Sequence, residues 1–340
     1  TVDLSYNLTG EKGNAYASGE MKNLDVSENG LYTLCKARIK LPEVKSSERL
    51  TLKITLNGAN GVYAENEWDI WVYAKRSALP YDEFVNYRND GVSVTDDLER
   101  AFTALEKGEK VCLIYRSDFT RHVIHKDMVN PEYAFKASWN RFKPVIWDRG
   151  TNYGGLLDKS TLNKYGFTTD GYYDYNLSVL SEDCDKINLD DFPVKADSLI
   201  SGIDKSCRDR FDAYKDCFNM PDLIYDRTLR NFSYAFEVAV GKGKLLVCGL
   251  NFTGLDENEP STLCMANFVI DYIGSNDFNP KAEISVEELK AYMKKCAEKP
   301  VRESIMTQFW EMDDAPVESK TFWKESKEYL AEEYAKGANR

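Results

Sequence analysis

Between Leu50 and Tyr73 the chain twice alternates side chains with a period of two, and no other local pattern limits its fold so tightly. Leu50, Leu52, Ile54 and Leu56 fall on one side of an extended chain, and Thr51, Lys53 and Thr55 on the other. Successive side chains of a strand point to opposite faces, so this pattern reads as a half-buried strand. Asn66-Glu67-Trp68-Asp69-Ile70-Trp71-Val72-Tyr73 reads the same way. Upstream, Leu31, Thr33, Cys35, Ala37, Ile39 and Leu41 alternate with Tyr32, Lys36, Arg38 and Lys40, and Pro42 closes that run. Asn29-Gly30 and Asn57-Gly58 supply turn chemistry. Antiparallel strands of this kind bury one face and need a second layer. A small β-sandwich over residues 1–78 is therefore predicted.

The pattern changes after that. Pro80, Asn86, Asn89 and Gly91 break periodicity, which marks 79–93 as a linker. Thr95 reads as an N-cap, followed by Asp96 and Asp97 at the positive end of a helix. Leu98, Ala101, Phe102 and Leu105 keep helical spacing up to Gly108. Lys110-Val111-Cys112-Leu113-Ile114-Tyr115 then reads as a strand buried on both faces. Further candidate strands are 144–147, 199–203 and 223–225, with a hairpin around Gly241-Lys242-Gly243 and a helix over Thr262–Ile273. This alternation predicts an open, mostly parallel α/β sheet over 94–280, followed by a helical tail over 281–340.

Composition narrows the classes. A hydrophobic fraction of 43% across 340 residues is that of a folded, multidomain chain. The net charge of -12 argues against a nucleic-acid partner, which needs clustered positive charge. No run approaches the roughly 20 apolar residues of a membrane span. No leader follows Thr1, and a start at threonine suggests an excised piece of a longer protein. None of the cysteines (35, 112, 184, 207, 217, 248, 264 and 296) forms a Cys-x-x-Cys pair. Free thiols and a reducing, cytoplasmic compartment are the reading. A Cys207–Cys217 disulfide stays open, and a leader upstream of Thr1 would place the protein outside the cell.

The Asn66–Tyr73 wording resembles the last strand of an accessory β-sandwich in multidomain bacterial family 2 glycoside hydrolases. Phe135–Trp139, Val145-Ile146-Trp147, Tyr153-Gly154-Gly155-Leu156-Leu157, Gly166-Phe167-Thr168-Thr169-Asp170 and Gly241–Val247 follow in an order similar to the C-terminal α/β region of those proteins. Thr168 stands where that family usually has proline, and Tyr172-Tyr173-Asp174-Tyr175 is tyrosine-rich where tryptophan is commoner. The resemblance covers about 1–275. It implies an immunoglobulin-like β-sandwich followed by a non-catalytic, flavodoxin- or glutamine-amidotransferase-like α/β domain. It also implies a catalytic barrel elsewhere in a parent glycosidase, since such a barrel needs about 250 residues of its own. The partner is then the remainder of the parent polypeptide, with a carbohydrate or a second copy of the chain as further candidates.

Catalytic chemistry finds little purchase. Asn66-Glu67 has the wording of a glycosidase acid/base, but that chemistry needs two carboxylates about 5–5.5 Å apart on rigid barrel strands. His122 and His125 are the two histidines, and nothing in the sequence pairs them with a cysteine or completes a metal site. Gly241-Lys242-Gly243-Lys244 lacks the frame of a phosphate loop and reads as a turn. No catalytic residue, metal site or cofactor is assigned. Trp139, Trp147, Tyr153, Asp170, Tyr172, Tyr173 and Asp174 form the candidate sugar-binding set, aromatic faces stacking on sugar rings and carboxylates taking hydroxyls. Packing between domains or against a barrel is the competing role for the aromatics. Accessory support of the parent enzyme is the expected function; a stand-alone carbohydrate-binding module, or a small-molecule enzyme on the α/β domain, are the alternatives.

Overall fold

The structure, a computed structural model, describes residues 1–26, 31, 33–116, 132–139, 155–171, 175–181, 184–202 and 231–298. The alternating run around Leu50 forms β3 (Glu48–Gly58), in a sheet with β1 (Val2–Gly10), β2 (Ala15–Leu24) and β4 (Gly61–Val72). The order is β2-β1-β3-β4, antiparallel throughout. Leu8 lies opposite Leu52, which lies opposite Trp68, and Leu4 lies opposite Leu56. One face is thus apolar. The other carries Thr51, Thr55 and a Lys53 ammonium 2.7 Å from Glu65 and 3.6 Å from Glu67.

The alternation at 31–41 does not become a strand. Leu31, 33–41 and the residues up to 44 have no regular secondary structure, and Leu31 is fully exposed. Thr33, Cys35 and Ala37 offer too little apolar area to repay the entropy of ordering a strand. Among the described residues the first unit is therefore one open sheet and not a two-sheet sandwich. Leu8 and Leu50 are buried, while Trp68 remains 44% exposed.

Residues 79–93 are not a free linker. They form α1 (Tyr81–Phe84), β5 (Arg88–Asn89) and the start of β6 (Val92–Thr95), and they bury Phe84 and Val85. The helix that follows, α2 (Leu98–Glu106), is capped by Asp97 accepting from the Arg100 amide. The expected cap, Thr95, ends β6 and instead accepts from the Asp97 amide at 3.1 Å. Gly108, at φ +85°, ends the helix in the left-handed conformation that glycine tolerates.

β7 (Lys110–Ile114), β8 (Ala137–Trp139), β9 (Gly155–Leu157), β10 (Asp185–Asn188), β11 (Asp197–Gly202), β12 (Phe232–Val240), β13 (Gly243–Cys248) and β14 (Glu283–Ile284) complete a second sheet. Its main path runs β5-β6-β7-β13-β12-β10-β8, with β11, β9 and β14 branching from it. It is mixed, not mostly parallel: β6–β7, β7–β13 and β12–β14 are parallel and the other pairings antiparallel. The cause is local. Gly241, at φ +57°, and Lys242 reverse the chain in two residues, so β12 and β13 pair as a hairpin. The candidate strands at 144–147 and 223–225 lie outside the described residues.

Burial on both faces explains the unbroken apolar runs. Cys112, Ile114, Leu246 and Cys248 face one core with α3 (Lys159–Lys164) and α4 (Pro260–Gly274). Val111, Leu113, Leu245 and Val247 face the other with α2 and α5 (Val286–Ala297). Ser285 and Glu288 close a capping box on α5. The helical tail is described as far as residue 298.

Two positions show how tight this packing is. Gly249 follows β13, and a Cβ there would lie 2.2 Å from the Asp185 carbonyl oxygen. Glu237, on β12 under α4, is buried and accepts a 2.6 Å hydrogen bond from the Tyr272 hydroxyl. Burial pushes its carboxyl above the usual range, although the hydrogen bond works the other way. Gly249→Ala should lower unfolding free energy by about 1–3 kcal/mol, read from a urea titration. Glu237 favours folding when protonated, and that contribution is lost as pH rises through its folded pKa. Glu237→Gln keeps an acceptor for Tyr272 without the charge. Its melting temperature should gain on that of the parent chain as pH rises above the ordinary carboxylate range.

Candidate functional site

Arg49 interrupts the aliphatic alternation of β3 from its polar face. Its guanidinium lies 3.6 Å from Glu11 and 3.9 Å from Asp69, and it hydrogen-bonds Asp170 of the second unit. Burial opposes the charge, but the surrounding carboxylates outweigh it and raise the guanidinium pKa further. The other Asp170 oxygen lies 3.5 Å from the Lys159 ammonium. Nearby, the Thr168 hydroxyl donates to the Ser47 carbonyl at 2.8 Å. The Ser47 hydroxyl also lies 3.5 Å from the Cys264 sulfur, and that thiol donates to the Gly166 carbonyl at 3.3 Å.

A cleft of about 390 Å³ opens beside this junction. One wall is Lys45, Ser46 and Ser47 with the strand exit Tyr73-Ala74-Lys75-Arg76; the other is Tyr165, Gly166, Asn258, Pro260, Leu263, Cys264 and Asn267. The second wall is fixed by the start of α4, where Pro260 takes the first helical position and the Glu259 carboxylate accepts from the Thr262 amide at 2.6 Å. Burial pushes the Cys264 thiol up, with Ser47 and Arg76 opposing it. Burial likewise raises the Tyr73 phenol. The Tyr73 hydroxyl is buried, and hydrogen bonding with the Asn176 and Ser261 side chains opposes that rise. Lys45, Lys75 and Arg76 are exposed.

Nucleophilic chemistry is poorly served by Cys112, Cys248 and Cys264. Cys112 and Cys248 are buried within β7 and β13, and burial raises both, Cys248 to about 12. Raised thiols hold their protons and react slowly. Cys264 donates its proton to a carbonyl. No group of three or more His, Cys, Asp or Glu side chains is placed to hold a metal among the described residues. Asn66 and Glu67 lie exposed along β4, with the Asn66 side chain accepting from the Glu67 amide at 2.9 Å. His122 and His125, and the Cys207–Cys217 pair, lie outside the described residues.

The sugar-binding set is mostly beyond view. Trp147, Tyr153, Tyr172, Tyr173 and Asp174 lie outside the described residues. Trp139 ends β8, opposite Asp185 on β10. Asp170 is engaged by Arg49 and Lys159, so it works as an ion-pair partner between units before it can take a hydroxyl. Sequence reasoning missed Arg49, Tyr73, Lys75, Arg76 and Cys264. A signal existed for the cations: Lys75-Arg76 follows directly on a strand in a chain dominated by acids.

Residues 1–74 match the model of a domain of unknown function (DUF8488), and residues 225–294 match that of a second domain of unknown function (DUF8487). The first match ends just past β4; the second holds β12, β13, α4, β14 and most of α5. No curated protein matches the chain.

The junction makes a measurable claim. Arg49→Met and Asp170→Asn, combined in a double-mutant cycle by urea denaturation, should show a coupling of about 1 kcal/mol between residues 121 apart in sequence.

Proposed function

We propose that this chain is a non-catalytic accessory portion of a glycoside hydrolase, holding two modules in fixed relation beside a catalytic barrel supplied by the rest of the parent polypeptide. The observation that carries this reading is the junction itself. Arg49, Ser47, Thr168 and Asp170 are used to fasten one unit to the other, which is what a spacer or support requires. A site for bond cleavage would instead need paired carboxylates aimed into open space.

On this reading the first sheet belongs to an immunoglobulin-like module. The second, with helices on both faces and parallel strands at β6, β7 and β13, belongs to an amidotransferase-like α/β module that has lost its catalytic elbow. The carbohydrate context rests on the Asn66–Tyr73 wording and the ordered motifs of the second unit. Fold and wording are analogical grounds, and they are tested together.

An antibody raised against this chain should recover from source cells a polypeptide much longer than 340 residues. That polypeptide should hydrolyse aryl glycosides which the isolated chain leaves intact. Recovery of a native species of this length, or turnover by the isolated chain, would overturn the accessory reading.

A further inference from the structure

We propose that the cleft between β4 and the start of α4 is a binding site for a small hydroxylated anion, a sugar acid or a sugar phosphate. The proposal stands on the cleft and not on the glycosidase reading, and it holds if that reading fails.

Charge selects the ligand class. Aspartate and glutamate outnumber lysine and arginine, 56 to 44, yet among the described residues no carboxylate lines this cleft. Lys45, Lys75 and Arg76 line it instead, without an ion pair among the described residues. The neighbouring carboxylate, Glu259, is held by the Ser261 and Thr262 hydroxyls at 2.6 and 2.7 Å and by the Thr262 amide. Three cations without an ion pair among the described residues concentrate anions at this opening, and the acidic remainder of the protein repels them. The positive end of α4 adds to the same field.

The walls select the remaining chemistry. Asn258 and Asn267 present amides, and Ser46 and Ser47 present hydroxyls. Asn267 donates to the Leu263 carbonyl at 2.7 Å, which fixes the plane of its amide. Tyr73 closes the cleft on the β4 side. Leu263, Pro260 and Tyr165 supply apolar surface between these groups. A volume near the lower end of the usual range of about 300–1,000 Å³ suits a single ring and not an oligomer. Cations on the rim with neutral donors and acceptors within match an anionic group carried on a polyol.

Isothermal titration of the full chain in low salt would use glucuronate, glucose 6-phosphate, neutral glucose and inorganic phosphate. Saturable binding of glucuronate or glucose 6-phosphate is expected, at least about tenfold tighter than that of neutral glucose or inorganic phosphate. Whichever binds tighter tells a carboxylate site from a phosphate site. The exposed double substitution Lys75→Ala/Arg76→Ala should weaken that binding at least about tenfold while leaving the melting curve unchanged. Asn267→Ala should weaken it as well. Failure of both anionic sugars to bind would overturn the proposal, as would binding unaffected by the double substitution. Inorganic phosphate binding as tightly as glucose 6-phosphate would overturn the claim that the hydroxylated ring is recognised.

Discussion

Arg49 makes the charged link between the two sheets of this molecule. A guanidinium among Glu11, Asp69 and Asp170 is a charge-assisted link between the units. Its geometry is supported on one side by a regular ladder, since Arg49 lies opposite Trp71 in the β3–β4 register. On the other side, Asp170 follows a loop tied down by Asn163, whose side chain accepts from the Thr169 amide and donates to its carbonyl. The link therefore joins two positions that are each already fixed. That limits the entropy lost in forming it.

Local patterns were legible and their assembly was not. Leu50–Leu56, Lys110–Tyr115 and the Gly241 turn all form the elements that their spacing implies, because period and turn chemistry are properties of a few adjacent residues. The run at 31–41 shows the limit. Alternation without enough apolar area satisfies the pattern and fails the energetics. The mixed sheet shows another limit: helix–strand alternation suggests parallel strands, but a two-residue reversal at Gly241-Lys242 commits β12 and β13 to the opposite orientation. Asp170 was legible as a polar residue near aromatics, whereas its partner, 121 residues away, was not. Ion pairs of that separation leave no periodic trace.

The placement of polar groups separates the two cores from the junction. Inside the second unit, Glu237 is tolerated because Tyr272 donates to it, and the buried thiols behave as small apolar groups. At the junction the polar groups face each other across a boundary, and beside it they line open space. The same residues, Ser47 and Cys264, belong to both the boundary and the cleft.

The position of β13 has a consequence for the order of assembly. It lies between β7 and β12, so residues 110–114 must wait, with one edge unpaired, until residues 243–248 have left the ribosome. Until then the nascent chain displays an apolar strand edge, the kind of surface on which chains join one another. Closure of so long a loop is slow compared with formation of the β12–β13 hairpin. The hairpin thus arrives ready-made and docks as a unit, and the interval before it does so is when the edge of residues 110–114 is most open to pairing with another chain.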